Sequence, residues 1–202
     1  LAQADTAGDL AIAMDGKGNA LATWTQIDGS QQNIWAKRDN NTSHTWGGPA
    51  QVNKPSNGIA YGSKAAFDPA GNAMVVWVQQ NGTSYEESAR QMDAGTGAWG
   101  DVATLGQTSQ LAKPPQIAMD ANGNAMVVWI YWDGKTESVY YNRYGAGSWG
   151  SATLLETDDT VSSDTLGVRI AMNANGAVMA VWSQFTSPGG VGVSRIFANV
   201  YR

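Results

Sequence analysis

The sequence predicts an all-β fold built from four tandem units, and three observations lead to this prediction. A strand that ends in tryptophan recurs at intervals of 53, 52 and 53 residues, at Trp24, Trp77, Trp129 and Trp182. A Trp-Gly pair follows three of these strands, at 46–47, 99–100 and 149–150. Glycine is abundant (24 residues) and charged residues make up only 14%, which suits short strands joined by tight turns. Periods of this size are typical of solenoids, propellers and arrays.

Each unit is expected to contain four short strands, and the third unit shows the pattern best. Residues 116–120 alternate between apolar and polar side chains, and residues 121–124 then form a turn with glycine where a positive φ is needed. An almost unbroken apolar run at 124–132 is expected for a strand that is buried on both faces. Two further strands are expected at 138–144 and 149–155.

Four antiparallel strands in about 50 residues, repeated in tandem, indicate the blades of a β-propeller. The units run approximately over 8–60, 61–112, 113–165 and 166–202. We expect the four repeated tryptophans to be structural and to lie between adjacent blades. The prediction is therefore a single domain of four four-stranded blades of about 52 residues each.

The chain is out of phase with its own repeat, because the fourth unit ends before it reaches a Trp-Gly pair. Residues 1–7 are expected to complete the last blade, which would close a four-bladed ring and leave no unpaired sheet edge. The alternative is that terminal strands pair between two chains, so that each chain forms half of a larger ring or one unit of a fibre.

Composition excludes some functions and favours an exported protein. A net charge of −5 and a pI near 4.7 argue against binding to nucleic acid or to an anionic membrane surface. No run of 18 apolar residues is present, so insertion into a membrane is not expected. The chain starts at Leu1 without methionine, which suggests that an export signal has been removed. An extracellular, periplasmic or cell-surface location is the resulting expectation.

The repeated motif resembles that of a bacterial family of extracytoplasmic tandem-repeat proteins of unassigned function. The resemblance rests on Ile-Ala-Met-Asp-Ala-Asn-Gly-Asn-Ala at 117–125, the strand that ends at Trp129, Asn-Ile-Trp-Ala at 33–36 and the Trp-Gly pairs. It covers nearly the whole chain and implies propeller blades in an exported or surface protein, but it implies no catalytic motif. The fourth copy departs from the motif, with Asn173 in place of aspartate and Ala177 in place of asparagine.

The aspartates that open three of the repeated turns are expected to be structural. Asp15, Asp68 and Asp120 each stand at the start of a turn, where a carboxylate accepts backbone N–H bonds. Calcium is the alternative, because carboxylate and amide oxygens suit this cation, but a strong site would cluster several carboxylates and each turn supplies one. The sequence therefore predicts no cofactor.

Ligand-binding residues are sought near the turn between the second and third strands of each unit, because loops on a rigid scaffold commonly carry function. Aromatic rings and amides that suit sugars occur there. The candidates are Gln26, Asp28, Gln79, Asn81, Tyr131, Trp132, Asp133 and Gln184. Several weak sites of this kind would gain affinity through multivalency. The alternative is that these residues are ordinary polar turn residues beside buried tryptophans.

No catalytic constellation is recognisable in the sequence. His44 is the only histidine, and no partner is specified by spacing. Glu86 and Glu87 are adjacent on an expected strand, so their side chains would point to opposite faces and would not form an acid/base pair.

The functional prediction is therefore a non-catalytic, lectin-like module of a bacterial exported protein, which binds a glycan or a cell-surface ligand through its blade loops. The first alternative is a structural module that self-assembles into oligomers or fibres through its terminal strands. A glycoside hydrolase-like enzyme is the third and least favoured hypothesis.

Overall fold

In a computed structural model, the chain is described over residues 7–54, 58–110, 112–132, 136–156, 165–186 and 192–201. These residues form seventeen β-strands, which group into four antiparallel sheets in chain order. Within them there is no helix long and apolar enough to cross a membrane. The all-β prediction is thus confirmed, and so is the division into four antiparallel sheets.

The first sheet consists of three long strands and two short ones. Its order is β1 (Ala7–Met14), β2 (Ala20–Asp28) and β3 (Gln31–Asn40). The short strands β4 (Thr45–Trp46) and β5 (Ala50–Gln51) both pair with β3, so the fourth strand of this sheet is broken into two segments.

The second sheet has four continuous strands in meander order. They are β6 (Ala60–Phe67), β7 (Ala73–Asn81), β8 (Ser84–Met92) and β9 (Ala103–Thr108). Each strand pairs antiparallel with the next one along the chain.

The third sheet repeats the plan of the first. The long strands β10 (Lys113–Met119), β11 (Ala125–Trp132) and β12 (Glu137–Gly145) are followed by β13 (Ser148–Trp149) and β14 (Thr153–Leu154), which both pair with β12. The single fourth strand predicted at 149–155 is therefore two short strands, and the tryptophan of the Trp-Gly pair ends the first of them.

The fourth sheet contains three strands in the described residues, β15 (Thr165–Met172), β16 (Val178–Thr186) and β17 (Val193–Tyr201). The four sheets begin at Ala7, Ala60, Lys113 and Thr165, each within one residue of the expected start of its unit. Ala7 pairs with Gln26 in the first sheet, and residues 1–6 lie outside the described residues. Completion of the last blade by residues 1–7 stays a prediction.

The second strand of each inner sheet carries side chains toward both neighbouring sheets, because successive residues of a strand point to opposite faces. In β7, Val75 and Trp77 pack in a core cluster with residues of the first sheet. Val76 and Val78 pack in another cluster with residues of the third sheet. The unbroken apolar run that the sequence shows at this position is explained by burial on both faces.

Packing between sheets follows chain order, with the first sheet against the second, the second against the third and the third against the fourth. The innermost strands β1, β6, β10 and β15 lie side by side in the same order. The four tryptophans that define the repeat are all buried. Trp77, Trp129 and Trp182 pack in the clusters between sheets, whereas Trp24 lines a groove on the first sheet. Burial of each ring contributes on the order of a few kcal/mol to folding.

The repeated turn between the first and second strands is built around one carboxylate. Asp120 Oδ1 accepts the backbone N–H groups of Asn122 (2.9 Å) and Asn124 (2.8 Å), and Oδ2 accepts the Asn124 amide at 2.7 Å. Asp15 makes the corresponding bonds with Lys17 and Asn19. Asp68 makes the same two bonds with Asn72, and its Oδ1 also accepts the Gly71 N–H, three residues along. Burial favours a raised pKa for Asp120, but the hydrogen bonds from Asn124 and Asn122 outweigh it and lower this pKa.

The fourth turn is a weaker version of the same structure. Asn173 Oδ1 accepts the N–H groups of Asn175 and Ala177, both at 3.0 Å. The side-chain bond made by the other three turns is missing, because alanine stands where they have asparagine. The fourth copy has Asn173 in place of aspartate and Ala177 in place of asparagine, so both partners of this side-chain hydrogen bond are replaced.

Candidate functional site

The three glutamines proposed as ligand-binding residues all bond to the repeated tryptophans. In each case the indole Nε1 donates to the amide oxygen two residues later. The pairs are Trp24 to Gln26 (3.1 Å), Trp77 to Gln79 (3.4 Å) and Trp182 to Gln184 (3.3 Å). All three glutamines are buried. Their amide oxygens satisfy the indole N–H groups inside the sheets, which is a structural role.

The third sheet departs from this arrangement, because Tyr131 occupies the position of the glutamine. Trp129 Nε1 is buried and has no hydrogen-bond partner among the described residues. The Tyr131 hydroxyl instead accepts the backbone N–H of Glu87 in the second sheet at 3.0 Å. Its ring packs edge-on against Trp129, with centroids 5.6 Å apart. The third sheet therefore has a local chemistry of its own at the end of its second strand.

The candidates in the turns themselves are more exposed. Asp28 is exposed at the end of β2, and Asn81 is exposed and donates to Glu86 Oε1 at 3.3 Å. Trp132 is half-buried at the end of β11, and its carbonyl accepts the Thr108 hydroxyl of the neighbouring sheet at 3.1 Å. Asp133 lies outside the described residues.

A cleft of about 340 Å³ lies between the second and third sheets, and it brings two of the predicted residues together. Tyr131 and Trp132 line it from one side with Tyr140, and Gln107 and Gln110 line it from the other. The Tyr131 and Tyr140 rings are 5.9 Å apart. Aromatic faces beside amide groups are the chemistry that recognises the C–H faces and hydroxyl groups of sugars.

Sequence reasoning missed Tyr140, Gln107 and Gln110. Gln107 lies in β9, the fourth strand of the second sheet, and Gln110 lies in the loop that follows it. Both reach the cleft only because the second sheet packs on the third. No local pattern reports such a contact between sheets. Their amide side chains beside a predicted strand end were the only available signal.

Glu87 is the chemically unusual residue beside this cleft. It is fully buried in the interface between the second and third sheets, and neither carboxylate oxygen has a hydrogen-bond partner among the described residues. Burial raises its pKa well above the usual value for a glutamate. Burial, and next the charge of Glu87, also raise the pKa of Tyr131, which lines the cleft. Glu86 points to the opposite face and is half-buried, as the strand period predicts.

Asp9 is a second carboxylate that the sequence did not single out. It is exposed on the innermost strand of the first sheet, at a bulge, with φ near +48°. Its Oδ2 accepts the Gly62 N–H of the second sheet at 3.2 Å. A non-glycine residue with positive φ is uncommon and is often associated with function. Asp9, Glu87 and Trp132 all lie toward the sheet end at which the second strands finish.

The described residues contain no group of three or more histidine, cysteine, aspartate or glutamate side chains arranged to hold a metal ion. His44 is exposed, with a φ near +51°, in the turn between β3 and β4. Calcium binding by the repeated turns stays untested, although in each turn both oxygens of the aspartate already accept hydrogen bonds.

Solved structures with a similar fold include carbohydrate-active enzymes. An α-L-arabinanase from Penicillium chrysogenum, complexed with arabinobiose, matches 95% of this chain and 62% of its own, with a TM-score of 0.68 and 13% identity. A protein of unknown function from Dyadobacter fermentans matches 96% of this chain and 61% of its own, with a TM-score of 0.65 and 10% identity. An endo-arabinase from Bacteroides thetaiotaomicron matches 89% and 70%, with a TM-score of 0.52 and 14% identity.

This chain therefore spans less than two thirds of the length of the first two structures. No protein-family model and no curated protein sequence matches it. At these identities the comparisons show the fold alone, which is an all-β fold of the type found in propeller glycoside hydrolases.

The comparisons contradict two predictions made from the sequence. The chain was predicted to be a non-catalytic binding or structural module, and it was predicted not to be an enzyme. Its fold is shared with an arabinanase, an endo-arabinase and a family-43 glycoside hydrolase, which are enzymes. That prediction depended on the absence of a recognisable catalytic motif, and a sequence pattern does not report which side chains are brought together by packing between sheets.

Proposed function

We propose that this chain is a carbohydrate-active protein of the glycoside hydrolase type, and that it binds a glycan in the cleft beside Trp132. The observation that carries the proposal is the cleft itself, where three aromatic rings face two glutamine amides in a fold shared with arabinanases. A glycan partner was also expected from the sequence. Arabinose-containing oligosaccharides are the first substrates to test.

Hydrolysis of a glycosidic bond commonly needs two carboxyl groups in different environments, one that donates a proton and one that stays ionised. Glu87 has the raised pKa that a proton donor needs, and its backbone N–H donates to the hydroxyl of Tyr131, which lines the cleft. Asp9 is the exposed carboxylate at the same end of the sheets. In this proposal Glu87 is the proton donor and Asp9 is the second carboxyl group.

The four sheets are proposed to be consecutive blades of a propeller with more than four blades. The outward faces of the first and fourth sheets support this, since apolar side chains are exposed on both.

An extracellular or periplasmic location, expected from the sequence, suits a polymeric glycan substrate that does not cross a membrane. Membership of the bacterial tandem-repeat family remains part of the proposal.

The test measures the release of reducing ends by the purified 202-residue chain from arabinan, arabino-oligosaccharides and an aryl α-L-arabinofuranoside. We expect Trp132→Ala to raise KM about tenfold, since stacking of a sugar on one aromatic ring is worth on the order of 1–2 kcal/mol. Glu87→Gln is expected to lower kcat at least 100-fold.

Trp46→Ala is the matched control, because Trp46 is an exposed tryptophan outside the cleft. It should leave KM and kcat unchanged. If the chain neither binds nor cleaves any of these glycans at millimolar concentration, the proposed function is wrong.

A further inference from the structure

The two terminal sheets expose apolar side chains on the faces that point away from the rest of the molecule. On the first sheet, Leu10 is 81% exposed and Ile12 is 66% exposed, and Met14 accompanies them. We call these three residues the leading face. On the fourth sheet, Met179 is 51% exposed and Ile196 is 77% exposed. We call these two residues the trailing face.

The equivalent positions of the inner sheets are buried on the trailing side. The residues that correspond to Met179 are Leu21, Met74 and Met126, each 1% exposed. Ile196 lies on the third strand of its sheet and pairs with the residue that follows the repeated tryptophan. The residues at this position in the other sheets are Ile34, Glu87 and Val139, each 0% exposed. Among the described residues, this pair of positions is uncovered only in the fourth sheet.

The leading side shows the same contrast. Ile12 corresponds to Ala65, Ile117 and Ile170, which pair with the same position of the second strand in their own sheets. All three pack into the core cluster shared with the preceding sheet. Exposure of Ile12 therefore reflects the lack of a preceding sheet in the part of the chain that the structure describes, and not a different strand geometry.

The interior shows how these positions meet across an interface. Leu21 and Ile34 of the first sheet share a cluster with Ala65 and Phe67 of the second. Met126 and Val139 of the third sheet likewise share one with Ile170 and Met172 of the fourth. The same four positions on the terminal faces hold Met179, Ile196, Ile12 and Met14. The two faces thus have the composition of one further interface of this kind.

The terminal faces are also matched in polarity. Where the first sheet meets the second, Thr23 and Ser63 form a hydroxyl pair at 2.9 Å. Where the third meets the fourth, the equivalent residues Val128 and Val168 are both apolar and share a cluster. On the terminal faces these positions hold Val181 and Leu10, which are also both apolar. Interior pairs agree in polarity, and the terminal pair follows this rule.

We infer that the leading face of one copy of this chain receives the trailing face of a second copy, so that the two chains continue the sheet stacking from one to the next. A groove of about 780 Å³ on the first sheet, lined by Leu10, Ile12, Trp24 and Trp46, receives Met179 and Ile196 of the second copy. The contact is head-to-tail, so every chain offers one face of each kind. Repetition closes a ring or extends a filament, according to the rotation per copy.

The experiment measures mass by light scattering from about 1 μM to 500 μM for the 202-residue chain and three variants. Ile12→Glu places a charge on the leading face, and Ile196→Glu places one on the trailing face. Leu154→Glu is the matched control, at an exposed leucine of the third sheet. The unchanged chain and Leu154→Glu should at least double in mass as concentration rises. Ile12→Glu and Ile196→Glu should each stay monomeric.

The decisive sample is an equimolar mixture of Ile12→Glu and Ile196→Glu. One variant keeps an intact trailing face and the other keeps an intact leading face, so the mixture should form a one-to-one dimer and stop there. Two results would overturn the inference. One is an unchanged chain that is monomeric throughout the concentration range, which is the result expected if something other than a second copy covers these two faces. The other is association that either single variant retains, which would mean a symmetric or non-specific contact.

Discussion

The middle sheets and the terminal sheets of this protein are built from the same repeat but differ in what covers them. Met126 in the third sheet and Met179 in the fourth occupy the same position, yet one is buried and the other is half exposed. The difference comes from the neighbouring sheet and not from the strand. In a stacked-sheet protein, a residue's contribution to stability therefore depends on the place of its sheet in the stack.

The largest effect is expected from removal of a tryptophan that is covered on both sides. Trp129 is fully buried between the second and third sheets, so Trp129→Ala should lower the free energy of unfolding by about 3–5 kcal/mol. Trp24→Ala, in the first sheet beside the open groove, should cost less. Chemical denaturation of both variants measures the difference, and equal costs would mean that the first sheet is as well covered as the third.

The two equivalent methionines give a sharper pair. Met126→Ala should cost about 2–4 kcal/mol, because it opens a cavity in a packed cluster. Met179→Ala should cost less than about 1 kcal/mol in the monomer, because this side chain is half exposed. Denaturation at low protein concentration tests the pair. A large cost at Met179 under these conditions would contradict the assignment of an uncovered face.

Glu87 breaks the apolar pattern of the middle sheets, since Ile34 and Val139 hold the equivalent positions. Its pKa is raised in the folded state from the ordinary value of 4.5. Below pH 4.5 the carboxyl is protonated in both states. Above it the unfolded chain releases the proton and the folded chain keeps it, so stability falls as pH rises, by up to about 1.4 kcal/mol per pH unit, until the folded-state pKa is reached.

The Glu87→Gln variant isolates this effect, because glutamine does not titrate. Subtracting its stability from that of the unchanged chain at each pH removes the contribution of Asp15 and Asp120, whose lowered pKa values act in the opposite direction. Thermal denaturation from pH 4 to pH 8 gives both curves. Parallel curves would mean that Glu87 is not buried in its neutral form.

The smallest effect concerns the repeated turn. Asn124→Ala gives the third turn the alanine found in the fourth turn and removes the 2.7 Å bond to Asp120 Oδ2. We expect a loss of about 0.5–1.5 kcal/mol, typical of one hydrogen bond. Ala177→Asn in the fourth turn should restore little, because Asn173 replaces the carboxylate there. A gain equal to the loss at Asn124 would show that the amide alone is sufficient.

The sequence predicted the parts of the fold that depend on local pattern. The period of the tryptophans gives the number of sheets, and the alternation around Ile117 and Met119 gives a strand at the right place. The aspartate turns were predicted from one residue type and its distance from a glycine. These features depend on strand period and turn chemistry, and both are local.

The features that were missed depend on contacts between sheets. Gln26 and Gln79 looked like exposed sugar ligands, but their amides bond to buried indoles. Gln107 and Tyr140 reach the cleft from two different sheets. The buried state of Glu87 arises from the third sheet that covers it. Strand pattern alone does not report which face of a sheet has a neighbour, so neither the cleft nor the open terminal faces were predicted.

Oxidation of the methionines, followed by mass spectrometry, tests most directly whether the terminal faces are uncovered versions of the inner interfaces. With hydrogen peroxide at low protein concentration, Met14 and Met179 should oxidise at least tenfold faster than Met74 and Met126, since oxidation follows exposure. At high concentration Met14 and Met179 should become protected together. Similar rates at all four methionines would contradict the account, because the terminal faces would then be covered or the inner interfaces open.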